Sequence, residues 1–133
     1  MTFVIKQVKD HLIWVATYTE PYNPIVDAQG AEVAMKELTA DVDRVFYYIA
    51  DLSQVVVDFN DIVLGLAEAF KPGSGSFYSQ PNVRILTVGT QELIQMAAVA
   101  AKQDQYGGID IKVYASPEEA IAHAKAMLAA ESV

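Results

Sequence analysis

"RVFYYIADLSQVVVDFND" (residues 44–61) decides the fold. Residues 44–52 are apolar on both faces, with 45–50 apolar at consecutive positions rather than at alternating ones. Strand side chains point to opposite faces in turn, so such a run predicts a strand covered on both sides, at the centre of an α/β sheet. Asp51 closes the run, and Asp58 and Asp61 follow. From 58 the spacing turns helical: Ile62, Leu66 and Phe70 form one stripe with Val63 and Ala67 beside it, which predicts a helix over 58–70. Three carboxylates near one strand end admit three readings: a metal site, a phosphorylation switch or a set of helix caps.

Before this stretch, "TFVIKQV" and "HLIWVATY" are two β-rich runs separated by Lys9-Asp10, which predicts a hairpin. "EPYNP" is a loop. Ala31, Ala34, Met35 and Leu38 then recur at helical spacing, with Asp27 the expected N-cap and Gly30 a weakening residue. After it, "KPGSGSFYSQP" (71–81) is a flexible connection and "NVRILTVG" (82–89) a second buried-type strand. Thr90 caps a helix over "QELIQMAAVAAKQDQ", with Gly107 at its C-terminal end. "DIKVYA" (110–115) is the last strand. "SPEE" (116–119) is the clearest local signal: Ser116 as N-cap, Pro117 at the first helical position and Glu119 completing a capping box. Ile121, Ala124 and Leu128 face inward on the last helix. The order is β-β-α-β-α-β-α-β-α, a mostly parallel five-stranded sheet with an N-terminal hairpin, in a single domain over 1–133.

The totals narrow the function. Hydrophobic residues make up 53% and charged residues 20%, so the chain can bury a core. Cysteine is absent, which excludes disulfides, thiolate metal sites and cysteine nucleophiles. A net charge of −8, with only nine scattered Lys and Arg, argues against nucleic acid and against an anionic membrane surface. "MTFVIKQVKDHL" carries Lys6, Lys9 and Asp10 and is not expected to act as a signal peptide. No apolar run reaches the roughly 20 residues that span a bilayer. A cytoplasmic protein, not embedded in a membrane, is the expectation.

This element order, with a strand ending in "DLS" (51–53), a short linker and a helix, resembles the STAS domain family, named for sulfate transporters and anti-sigma-factor antagonists. It resembles above all the SpoIIAA-like branch. In the antagonists this stretch reads Asp-Leu-Ser, a hydrophobic linker, then Asp-Ser-Ser-Gly-Leu, and a partner kinase phosphorylates the second serine of that pair. Aligned without gaps from Asp51, this chain places Phe59, Asn60, Asp61 and Ile62 on Asp-Ser-Ser-Gly. Asp61 therefore stands at the phosphoacceptor position and the glycine is missing. The resemblance implies helices mainly on one face of the sheet. It also implies partner binding near the start of the 58–70 helix, with Ser53, Asp58, Asn60 and Asp61 as the candidate partner-binding residues.

Other readings of the same residues carry less. Asp58, Asn60 and Asp61 serve equally well as helix caps, while a phosphoserine-like Asp61 would imitate a phosphate only in part. A magnesium site of the response-regulator receiver type needs an acidic pair after the first strand, and Lys9-Asp10 runs straight into a hairpin instead. "PGSGS" (72–76) lies between a helix and a strand, the reverse of a phosphate loop, and the lone glycine of "LTVGT" is no dinucleotide fingerprint. His11 and His123 stand apart from any nucleophile or zinc-ligand run, and His123 is expected in water.

The aromatics open another possibility. Tyr47 and Tyr48 are strand neighbours and cannot both lie under helices that cover one face. With Trp14 and Tyr18 they offer either an ordinary core or an exposed face for an apolar ligand or a homodimer. No cofactor is implied. The favoured reading is a non-enzymatic interaction or regulatory module of STAS type without the serine switch, with a protein partner. The alternative is a carrier or sensor of a lipid-like molecule on the aromatic face. An enzyme ranks third, because no convergent acid, base and nucleophile set is visible.

Overall fold

The computed structural model describes residues 3–23, 25–56, 58, 60–61, 80–89, 92 and 112–131. Five strands form one sheet in the order β1-β2-β3-β4-β5: β1 (Phe3–Gln7), β2 (Ile13–Tyr18), β3 (Phe46–Asp51), β4 (Val83–Val88) and β5 (Lys112–Tyr114). β1 and β2 are antiparallel, and every other neighbouring pair is parallel. The expected hairpin and mostly parallel sheet are therefore present, with β3 at the centre. The expected helix over 58–70 is described only at 60–61, and the helix after Thr90 lies outside the described residues but for Glu92.

The hairpin loop is longer than a two-residue turn. Val8 donates its N–H to Ile13 O at 2.8 Å, and His11 donates to Val8 O at 3.1 Å. Asp10 takes the left-handed conformation, with φ 64°. A short polar side chain tolerates that region better than most non-glycine residues. His11 and Leu12 thus belong to the loop, and β2 starts at Ile13 instead of His11.

Helix α1 (Val26–Leu38) forms in spite of Gly30. Its start is held by Asn23 and not by an Asp27 cap as expected: Asn23 Oδ1 accepts the N–H groups of Ile25 and Val26, each at 2.9 Å. Asp27 sits one position inside the helix and reaches back, its Oδ2 accepting Asn23 N–H at 2.8 Å. Two otherwise unpaired donors and the Asn23 amide are satisfied at once. Helix α2 (Pro117–Glu131) starts as its sequence dictates: Ser116 Oγ accepts Glu119 N–H at 3.2 Å. The Glu119 carboxylate returns to Ala115 N–H at 3.3 Å, one residue earlier than an ideal capping box. Replacing Ser116 by alanine should cost about 1 kcal/mol of stability in urea unfolding; an unchanged midpoint would show that the cap contributes nothing.

The core has two halves. Trp14, Ala16, Tyr18, Phe46, Tyr48 and Val83 pack with Ala31 and Met35 of α1. Ile13, Tyr47, Ile49, Leu86 and Val88 pack with Ala120 and Ala124 of α2 on the opposite face. Each face carries one described helix, as fits β3, which is apolar at odd- and even-numbered positions up to Ala50. The expectation of helices mainly on one face also concerns the helices expected over 58–70 and after Thr90, which lie largely outside the described residues. Ala120 and Ala124 of α2 are fully buried, and Ile121 and Leu128 pack against the same cluster partly buried.

Candidate functional site

Parallel strands end together, so the loops after β2 and β3 share the carboxyl edge of the sheet, where α/β folds place their sites. The four candidate residues lie in the loop after β3. Ser53 is exposed, and both its N–H and its Oγ–H are donated to Asp51 Oδ1, at 3.0 and 2.6 Å. Asp58 and Asn60 are exposed and Asp61 is half-buried. Asp58 Oδ1 accepts Asp61 N–H at 2.8 Å, and Asp61 Oδ2 accepts Asp58 N–H at 3.1 Å. That is a reciprocal capping box built from two aspartates at the start of the helical residues 60–61. Asp61 thus spends a carboxylate oxygen on the Asp58 N–H, as a capping residue does.

Glu20, which sequence reading missed, and Tyr22, which it counted only among the aromatics, complete the edge. Glu20, from the loop after β2, accepts Val56 N–H with Oε1 at 2.8 Å and Tyr22 N–H with Oε2 at 3.3 Å. A single carboxylate therefore ties the two loops across 36 residues of sequence. Tyr22 lies beneath. Its ring meets Tyr18 edge-on at 5.4 Å between centroids. Burial, then the charges of Asp27 and Asp61, push the Tyr22 phenol up from 10.0 to about 12. Asp61 is thus near enough to Tyr22 to act on it. Val56 projects from the pinned loop with 74% of its surface exposed.

Among the described residues no group of three or more His, Asp or Glu could hold an ion: Asp58 and Asp61 each give an oxygen to the other's backbone, and Asp51 serves Ser53. The two histidines do not meet. His11 Nδ1 lies 2.8 Å from Lys9 O. His123 is half-buried rather than in water, its ring 5.4 Å from that of Tyr114.

The four aromatics do not form one open face, and that expectation is corrected. Trp14 and Tyr18 are 4% exposed and Tyr48 1%, all beneath α1, with Tyr18 and Tyr48 hydroxyls 2.8 Å apart. Tyr47, also 4% exposed, lies on the opposite face under α2. Alternation along β3 sends the two neighbouring tyrosines to different faces, and each face has its own helix. Burial, reinforced by Glu131 and Tyr114 and opposed by Arg84, holds the Tyr47 phenol above its usual range.

No family model matches the sequence, and no curated protein matches it. A solved structure does: an uncharacterized protein of the DUF3478 family with a SpoIIAA-like fold, from Shewanella loihica PV-4. The two share 15% sequence identity over 92% of this chain and 91% of that one, with a TM-score of 0.50. At that identity the likeness is one of fold: an α/β domain with a five-stranded, mostly parallel sheet and an N-terminal hairpin. No described helix is long and apolar enough to cross a membrane.

Proposed function

We propose that this SpoIIAA-like fold serves as a non-enzymatic interaction module of STAS type, which binds a protein partner through the loop after β3 without serine phosphorylation. The observation that carries it is the construction of the loop. Its backbone is pinned by Glu20, Asp51 and the Asp58–Asp61 pair, while Ser53, Asp58 and Asn60 and the apolar Val56 stay exposed. A surface held in one shape loses little entropy on docking. The phosphoacceptor position holds Asp61, whose carboxylate is committed to a cap, so binding is constitutive at this position.

The buried aromatics favour this over the lipid carrier, which needs an open apolar face. Asn60→Arg tests the proposal, since it adds bulk and charge at an exposed position. The parent chain, immobilised, should retain a partner from its own host's extract, and the variant should lose it with its melting temperature unchanged. Equal retention by both would remove the loop from the interface.

A further inference from the structure

We infer that β1 is a docking edge for an acidic, extended segment of a partner protein, which adds to the sheet as a further antiparallel strand. This edge is a different part of the molecule from the loop after β3, so the inference stands or falls apart from the interaction-module reading.

β1 comes first in the strand order and has a strand neighbour on one side only. The ladder shows which of its backbone groups look outward. Val8 donates its N–H to Ile13 O, which makes these two a hydrogen-bonded pair. In an antiparallel ladder such pairs alternate with pairs that exchange no bond. Lys6 with Val15 and Val4 with Thr17 are therefore bonded pairs, and the N–H and C=O groups of Phe3, Ile5 and Gln7 point away from β2. The other side of β2 agrees: Leu12 O accepts Tyr47 N–H, so the even-numbered positions turn to β3 and the odd-numbered ones to β1. No hydrogen bond reaches the main chain of Phe3, Ile5 or Gln7 from outside the sheet among the described residues. A row of donors and acceptors is left for another strand.

Charge selects that strand. Residues 1–9 contain Lys6 and Lys9, and the first acid of this −8 chain is Asp10, in the hairpin loop. Val4 is 57% exposed and Lys6 is exposed too. Two residues apart on a strand, they project from the same face. An antiparallel strand bonded to Phe3, Ile5 and Gln7 sets one side chain opposite Lys6 and the next on that face opposite Val4. A carboxylate and an apolar group there make two favourable cross-strand pairs. Salt at about 0.1 M screens exposed charges beyond roughly 10 Å, so a strand at this edge responds to its lysines more than to the net charge of the whole chain. A second copy fits less well. Paired about Ile5, it puts the Lys6 side chains of both copies on one face of the joint, and edge lysines of this kind discourage self-pairing.

The test titrates the capped peptide Thr-Thr-Glu-Thr-Val-Thr-Thr, and its counterpart with Lys for Glu, into the isotopically labelled full chain. The acidic peptide should give saturable NMR shifts along β1 and slow amide exchange at Phe3, Ile5 and Gln7. Exchange at Val4 and Lys6, whose amides already serve β2, should not change. The lysine peptide should bind more weakly. In Lys6→Glu the preference should reverse, with affinity for the acidic peptide down about fivefold. Lys6 is exposed and belongs to no described ion pair, so the variant keeps its fold, which its melting temperature checks. Equal binding of the two peptides by the parent chain, or no shifts along β1, would overturn the inference. So would amides of Phe3, Ile5 and Gln7 that exchange as slowly as those of Val4 and Lys6 in the chain alone, since the edge is then already covered. Protection that grows with chain concentration would assign the edge to a second copy instead. None of these outcomes touches the loop after β3.

Discussion

Phe46→Ala should lower unfolding stability by about 3–5 kcal/mol. Phe46 opens the central strand with 1% of its surface exposed, and its ring meets Trp14 edge-on at 5.6 Å. Truncation removes the transfer energy of the ring and leaves a hole bounded by neighbours fixed in strands on both sides. β2 and β4 cannot close over it without breaking their ladders to β3, so little of the cavity can relax. Against the 5–15 kcal/mol that holds a typical domain together, this is a large fraction. Urea denaturation of parent and variant measures it. A loss below about 1 kcal/mol would mean that the site collapses freely and that the α1 half of the core is not packed as described. Val56→Ala is the control: the side chain is 74% exposed, and stability should not move.

The second large effect is alkaline. The Tyr22 phenol, pushed up from 10.0 to about 12, holds its proton more tightly folded than unfolded. Its contribution is complete below about pH 10 and is lost as the pH rises toward 12. Over that window the chain should lose roughly 2–3 kcal/mol of stability through this group. Ultraviolet titration of phenolate, compared between parent and Tyr22→Phe, isolates the group from the other tyrosines. A difference spectrum that titrates near pH 10 would show that neither burial nor the charges of Asp27 and Asp61 act on Tyr22.

What could be read from the sequence was what depends on near neighbours. The unbroken apolar run at 46–50 announces a central strand, because only a strand covered twice can be apolar at every position. "SPEE" announces a helix start, because cap and helix lie within four residues of each other. Asp58 and Asp61 were legible as caps for the same reason. The misreadings have physical causes as well. Asn23 and Asp27 both suit a cap, and only the path of the chain after Pro21 decides which carries the first N–H groups. The alternation of Tyr47 and Tyr48 showed that they part company, but not that each would find a helix waiting. Glu20 was invisible, since its acceptor role depends on Val56 N–H, which the sheet brings to it from far along the chain. Asp51 was legible as a strand-end acid, yet the two hydrogen bonds it accepts from Ser53 depend on how the loop after β3 turns back on the strand end.

The strand order carries a last consequence. Each strand lies beside the one that precedes it in sequence, so the sheet can be laid down one strand at a time as the chain is synthesised, with no strand inserted between two already paired. The cover arrives differently. α1 reaches its face before β3 exists, whereas Ile13, Tyr47, Ile49, Leu86 and Val88 wait for α2, the last described element of all. Among the described residues, a nascent chain stalled before Ser116 would thus have one sheet face packed under its helix and the other still waiting for its own, and it is in that interval that a chaperone has most to hold.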